Sequence, residues 1–290
     1  MNFEGADNTI RVWENTTYTE VARLPHASPV VTAVWMAEDV GILALCENAS
    51  IIKWTRPPAN DSWHWGKIAE PNPSDRKVDD VPTAMAYFKD KIAVAFPRQG
   101  VKVWMLNKGT WQAQRSILRQ NVTAIKFVED GDALLGGTKD GVLWYCMVPN
   151  GTLRAYTFFR DKVSHIDVNS TESHVVVSQL GGRAHLVSIF QDANRGKIEQ
   201  VYALKEGSLR QGNYDAGALF AARDALVVFG SVDGYVIVWD KNNSEVVYGL
   251  DHGEGIVASA LGSRRAGGDG ALITGSVDGK LAWWSDPGCE

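Results

Sequence analysis

Gly275-Ser-Val-Asp-Gly-Lys-Leu-Ala-Trp-Trp-Ser-Asp286 reads as the second half of a β-hairpin: a tight Asp278-Gly279 turn, then a short strand closing on Trp284. Asp-Gly between two β-type runs is a strong hairpin signal, because both residues tolerate the left-handed backbone that such turns need. Upstream lie His252, the apolar run Ile256 to Leu261, a Gly-rich loop over 262–270, and Ala271-Leu-Ile-Thr-Gly-Ser276. These segments predict three antiparallel strands, a, b and c. In other parts of the chain a fourth, d, follows strand c, as in Glu245-Val-Val-Tyr-Gly249.

Strand c comes round seven times. Ile-Arg-Val-Trp13, Ile-Ile-Lys-Trp54, Val-Lys-Val-Trp104, Val-Ile-Val-Trp239 and Leu-Ala-Trp-Trp284 share a tryptophan, while Leu-Trp-Tyr-Cys146 and Ala-His-Leu-Val187 replace it. The intervals are 41, 50, 42, 41, 52 and 45 residues. A β-rich period of that size marks units too small to bury their own apolar face, which must stack to form a core. The expectation is one repeat domain over 1–290. At 45% hydrophobic and 22% charged residues the composition is that of a globular protein.

Formal net charge is -5, so the chain as a whole lacks the basic field that drives sequence-independent binding to nucleic acid. No run approaches eighteen apolar residues, and Met1 to Asp7 has neither the basic start nor the apolar stretch of a signal peptide. Cys46, Cys146 and Cys289 are scattered, a distribution that suits reduced thiols and a cytoplasmic or nuclear setting. Against this stand seven Asn-x-Ser/Thr patterns, at Asn15, Asn48, Asn60, Asn121, Asn150, Asn169 and Asn242. They read either as glycosylation sites or as turn formers in a turn-rich fold.

The hairpins Gly5 to Glu14, Gly230 to Asp240 and Gly275 to Asp286 resemble the WD40 repeat family of β-propellers. In each, an Asp lies six residues before the Trp: Asp7 and Trp13, Asp233 and Trp239, Asp278 and Trp284. The likeness covers the whole chain, strongly at both ends and weakly in the middle, where Asn48 and Arg98 replace the Asp and the repeat around Val187 has lost both residues. The resemblance implies an all-β, WD40-like propeller. It also implies a buried hydrogen-bonded network of His252, Thr274 or Ser276, Asp278 and Trp284, with His26 in the same role beside Trp54. These residues then serve the scaffold, and the nearness of His, Asp and Ser carries no hydrolytic triad.

Strand a candidates number six and strand c candidates seven, because the chain opens directly on strand c and continues to a strand d, Glu20 to Leu24. One reading is seven blades with the first incomplete, Phe3 to Asp7 being the end of a lost strand b. The alternative is a closed six-bladed ring in which Glu20 to Leu24 completes the last blade. An open ring would expose strand edges and favour an oligomer, a partner or a larger polypeptide.

Phosphate-loop, His-Glu-x-x-His, Cys-x-x-Cys and Gly-x-Ser-x-Gly patterns are all missing from the sequence, so neither an enzyme nor a cofactor is expected. His165, His174 and His185 would bind metal only if all three shared one sheet face, with no carboxylate or thiolate to assist. The resemblance implies instead a platform for a protein or peptide, held by loops joining d to a and b to c around the channel mouth. Those loops carry Arg98, Arg119, Lys139, Arg160, Lys162 and Arg183, which suit an acidic or phosphorylated peptide, with Asp140 and Asp161 diluting the charge. The loops from Ala69 to Asp80 and from Lys205 to Tyr214 are long enough to add contacts. Trp63 and Trp65 alternate onto one face near strand d and motivate the rival reading, a secreted or surface glycan-binding propeller. Arg264 and Arg265 belong to a hairpin tip on the opposite side.

Overall fold

The computed structural model describes residues 2–4, 7–14, 16–36, 41–55, 64–69, 80–180, 182–189, 196–203, 217–231, 234–253, 258–263, 271–276 and 279–285. Its regular structure is antiparallel β-sheet, and the strands of each sheet follow one another along the chain. The first sheet is β1 (Asn2–Glu4), β2 (Thr9–Trp13) and β3 (Glu20–Pro25). The second is β4 (Val30–Trp35), β5 (Gly41–Cys46), β6 (Ile51–Thr55) and β7 (His64–Ala69); the third is β8 (Ala84–Phe88), β9 (Lys91–Phe96), β10 (Gly100–Asn107) and β11 (Thr110–Ala113). The fourth holds β12 (Val122–Val128), β13 (Ala133–Thr138), β14 (Val142–Met147) and β15 (Arg154–Phe158), and the fifth β16 (Val163–Val168), β17 (His174–Gln179), β18 (Arg183–Ser188) and β19 (Lys197–Ala203). β20 (Ala218–Ala221), β21 (Leu226–Gly230), β22 (Tyr235–Asp240) and β23 (Val246–Asp251) make the sixth; β24 (Ala258–Ser263), β25 (Ala271–Ser276) and β26 (Leu281–Ser285) make the seventh.

Among the described residues five sheets are four-stranded blades, while the first and last have three strands each, so the expected count of seven blades with only the first incomplete is not confirmed. In the first sheet Asn2–Glu4 pairs with β2, Phe3 opposite Arg11; it is the strand b remnant expected over Phe3 to Asp7, and it ends earlier, at Glu4. β3 pairs with the other edge of β2, Leu24 opposite Ile10. Glu20–Pro25 is thus the outer strand of the first sheet, and the six-blade alternative, which needs it in the last sheet, does not match this register.

Two compact units divide the chain: residues 1–135 with 146–153, and residues 136–145 with 154–290. In the former, the core forms between sheets. Ile10, Val12 and Leu24 pack against Ile42, Ala44 and Trp54, and Leu43, Leu45 and Ile51 against Ile92, Val94, Phe96 and Trp104. The other unit repeats the scheme, with Val176, Leu186 and Tyr202 against Phe220, Phe229 and Trp239, and Val228, Val236 and Val238 against Leu272. Each fully buried aliphatic side chain contributes about 1.5–3 kcal/mol, and it does so only when the next sheet is present. First strands neighbour one another from sheet to sheet, β4 with β8 and β8 with β12, and likewise β16 with β20 and β20 with β24, as in the blades of a propeller.

The burial pattern follows from this stacking. Second strands such as Gly41–Cys46, Lys91–Phe96 and Ala133–Thr138 are buried at every position and read as apolar runs but for Lys91 and Thr138 at their ends. Outer strands β19 and β23 are largely exposed, and their sequences are mixed. Where strand c meets strand d the ladder slips by a residue at Val12/Trp13, Leu186/Val187 and Val238/Trp239, which is the tryptophan position or its replacement. No described helix is long and apolar enough to cross a membrane.

Candidate interaction surface

The buried polar network differs from sheet to sheet. In the seventh, the Trp284 indole N–H donates to Thr274 Oγ1 at 2.8 Å, and that hydroxyl also meets His252 Nε2. The Ser276 hydroxyl donates to the Lys280 carbonyl at 3.2 Å and clasps the hairpin. Asp278 and Asp233 lie outside the described residues. The second sheet has Ala44 where the seventh has Thr274, and there the Trp54 indole donates directly to His26 Nε2 at 3.1 Å. Burial pushes the His26 pKa down, so the ring stays neutral and its Nε2 can accept. In the sixth sheet Phe229 holds the Thr274 position, which leaves the buried Trp239 indole nitrogen without a hydrogen-bond partner.

Asp7 sits at the surface rather than in a network. It accepts from the Thr9 hydroxyl at 2.7 Å and from Arg11 at 2.9 Å, contacts that bring its pKa down to about 2. Trp13 closes β2 half-buried.

Strands a and c run one way and b and d the other, so b–c turns and d–a loops share one end of each sheet. In the unit holding residues 1–135, that end of the third sheet carries Arg98 and Arg119. The buried Asp80 carboxylate accepts the Arg98 and Gln99 backbone N–H groups at 2.9 and 3.0 Å, and Gln120 Nε2 donates to the Arg98 carbonyl at 3.2 Å. The turn is thus held from both sides while the Arg98 side chain is exposed. Arg119 is half-buried, and Leu118 beside it is 88% exposed.

The second unit brings Lys139, Arg160, Lys162 and Arg183 onto three turns tied to one another. Phe159 N–H donates to the Gly141 carbonyl at 2.7 Å, Leu180 N–H to the Lys162 carbonyl at 3.1 Å, and Gln179 Nε2 to the Asp161 carbonyl at 2.9 Å. Gly141 has a φ of 79°, and a Cβ there would fall 2.5 Å from the Phe159 carbonyl oxygen, so only glycine lets these turns meet. Lys139, Arg160 and Arg183 are exposed, and none makes an ion pair or side-chain hydrogen bond among the described residues; Lys162 is half-buried. Asp140 and Asp161 are exposed on the same turns. Phe158, closing β15, is 71% exposed.

Beneath them lies a substitute for the missing Asp and Trp of this repeat. The His185 ring stacks on Phe159 at a centroid distance of 5.0 Å, and His185 shares a 2.7 Å hydrogen bond with Gln179 Oε1. Burial, reinforced by the nearby Arg183 charge, brings the His185 pKa down to about 4. Asp80 and Phe159 each lie four residues before their sheet's first strand, where His26 stands in the second sheet. That shared offset was the sequence signal for both residues, and reading only His as significant there missed it.

The remaining candidates disperse. His165 Nδ1 meets the Ala218 carbonyl and His174 meets Ser173 and Glu199, and no group of three metal-binding side chains occurs among the described residues. Asn169 is buried with its amide on Thr171 and Ser173, Asn48 Oδ1 accepts from the Ser50 N–H and hydroxyl, and Asn121 has a φ of 57°. Turn formation accounts for these three; Asn15 and Asn60 lie outside the described residues, and Asn150 and Asn242 are exposed. Trp63, the Trp65 side chain, Cys289, Arg264, Arg265, the 205–214 loop and residues 70–79 lie outside the described residues as well. Cys46 and Cys146 are buried free thiols whose pKa values burial pushes up.

No family model matches the chain. An uncharacterized WD repeat-containing protein of Schizosaccharomyces pombe is 26% identical to it over 125 residues, a stretch that covers 43% of this chain and 38% of that relative's length. Hairpin motif, blade-like antiparallel sheets and this relative agree in resembling the WD repeat family of β-propellers.

Proposed function

We propose that this chain is a non-catalytic interaction platform that takes an acidic or phosphorylated segment of a protein partner on its b–c turns and d–a loops. The observation that carries the reading is the trio Lys139, Arg160 and Arg183, exposed and unpaired among the described residues on turns that hydrogen bonds hold in place, in a chain of net charge -5. Fixed turns lower the ordering cost of binding, and guanidinium groups offer paired donors to carboxylate or phosphate. In the unit holding residues 1–135, Arg98, on a turn held by Asp80 and Gln120, is a separate group of the same kind. The single-domain organisation over 1–290 and a cytoplasmic or nuclear setting belong to the same proposal, the latter supported by the buried reduced thiols.

Immobilised short peptides graded in glutamate and phosphoserine content test the reading. Retention should rise with peptide charge, fall at high salt, and be lost when Lys139, Arg160 and Arg183 are changed together to Glu. Retention indifferent to charge, or untouched by that triple change in a folded protein, overturns it.

A further inference from the structure

The chain of contacts under the fifth sheet's mouth links Arg160 to Arg183 through residues that carry no charge at neutral pH. Gln179 lies directly opposite Arg183 across the β17–β18 ladder, so both side chains leave the same face of the sheet. His185, two residues further along β18, shares that face. Gln179 Nε2 is committed to the Asp161 carbonyl at 2.9 Å, so its Oε1 is the atom that faces His185. The bond of 2.7 Å then requires the proton on His185 Nε2, and the imidazole is held in one tautomer. Phe159 closes against the ring from the loop that carries Arg160.

We infer that His185 and Gln179 are positioning residues for an anion seat between Arg160 and Arg183: the His185–Gln179–Asp161 chain fixes the backbone of the Arg160 loop against the strand that bears Arg183. Neither residue touches the ligand. The inference rests on the proposed function and gives it an internal control, because it predicts which uncharged residues set the affinity for an acidic group. Among the described residues Asp161 is the acidic residue joined to this chain, and it joins through its backbone carbonyl, so its exposed carboxylate can turn to solvent. The same carbonyl is the point at which the tie can be cut without altering any charge.

Gln179→Met keeps length and neutrality and removes both hydrogen bonds. His185→Leu removes the donor, and His185→Gln retains an amide N–H for Gln179. Affinity for hexaglutamate and for a phosphoserine peptide, read by fluorescence anisotropy, should weaken about tenfold in Gln179→Met and His185→Leu, the equivalent of one charge-assisted hydrogen bond. His185→Gln should return most of that loss. Arg183→Ala should cost affinity in the parent and little in the Gln179→Met background, since a cation already out of place has nothing left to lose. A merely structural role would leave the Arg183→Ala cost unchanged between the two backgrounds. Parent-like binding by Gln179→Met, or additive costs, overturns the positioning role while leaving the platform standing. If the parent binds neither probe, or binds them unaffected by Arg183→Ala, the platform reading falls and this inference falls with it.

Discussion

Gly136→Ala adds one methyl group at a point where the fold has no room for it. The new Cβ would lie 2.0 Å from Trp144 Cζ2 and 2.2 Å from Cε2, and Trp144 is fully buried. Gly136 precedes Gly137-Thr138 as Thr274 precedes Gly275-Ser276, so in the fourth sheet glycine occupies the position that elsewhere holds the tryptophan's hydroxyl partner. Trp144, two residues before Cys146, fills the space that glycine leaves. A rigid indole cannot yield as a flexible chain would, which puts the cost at the upper end of overpacking, about 3 kcal/mol. Trp144→Leu alone removes packed ring atoms and should cost about 2–3 kcal/mol. The double variant should be no worse than Trp144→Leu, because the methyl then enters space the indole has vacated, giving a coupling of about 3 kcal/mol. Urea unfolding followed by far-ultraviolet circular dichroism reads all three, with the slope checked so that midpoint shifts report stability. A Gly136→Ala variant within about 0.5 kcal/mol of the parent, or costs that simply add, would refute the exchange of hydroxyl for indole.

Three further outcomes follow from the polar contacts. Thr274→Val keeps the shape of a fully buried residue but strands the Trp284 indole N–H and the His252 nitrogen; it should cost about 2 kcal/mol, against less than about 1 kcal/mol for Ser276→Ala, and equal melting shifts would contradict this. Acid should unfold the protein partly through His185. Its folded pKa, about 4, is below the ordinary 6.5, so the unfolded chain binds more protons between those values, and stability that is full above pH 6.5 falls by about 3 kcal/mol towards pH 4. His185→Gln should flatten that slope, and an unchanged pH profile would rule the residue out. Lys91, nearly buried, gives its ammonium to Asp132 at 2.8 Å and to the Gly131 carbonyl at 2.9 Å. Asp132→Ala should therefore lower the melting temperature more than Lys91→Met, and the double variant should recover, since a buried charge without its partner is worse than no charge.

Fold class was legible because second strands are buried and mainly apolar, with polar residues at a few positions such as Lys91, Gln179 and Thr274, and because hairpin turns need Gly and Asp at fixed places. Ala271 to Trp284 shows both rules within fourteen residues. At the start of the chain the remnant of strand b was legible but its bounds were not: the sequence put its end over Phe3 to Asp7, and the strand is Asn2–Glu4, paired with Ile10 to Val12. The network members were legible where the motif holds, as with Trp284 and His252. They were hidden where another residue type fills the same space, as with Asp80, Gly136 and Phe159, because a pattern search looks for a residue and packing looks for a volume or a donor.

Those departures from the motif also remove acidic side chains from individual b–c turns. The turn position that holds Asp in four hairpins, as Asp7, Asp140, Asp233 and Asp278, holds Arg98 in the third sheet and Gly181 in the sequence of the fifth, and each change removes one negative charge from a turn on the candidate binding end. Losing a network aspartate would leave the hairpin unsupported unless another group took over its hydrogen bonds. In the third sheet the Asp80 carboxylate, reaching in from the preceding loop, receives the turn's N–H groups. In the fifth, the neutral pair His185 and Gln179 ties the turn to its neighbour. Both replacements place the supporting group beneath the surface and leave the cation above it, so scaffold and recognition are separated residue by residue. Asp140 and Asp161 remain exposed on neighbouring turns, so losing the turn aspartate lowers the acidic charge there without abolishing it, and the third and fifth sheets support that loss by different chemistry.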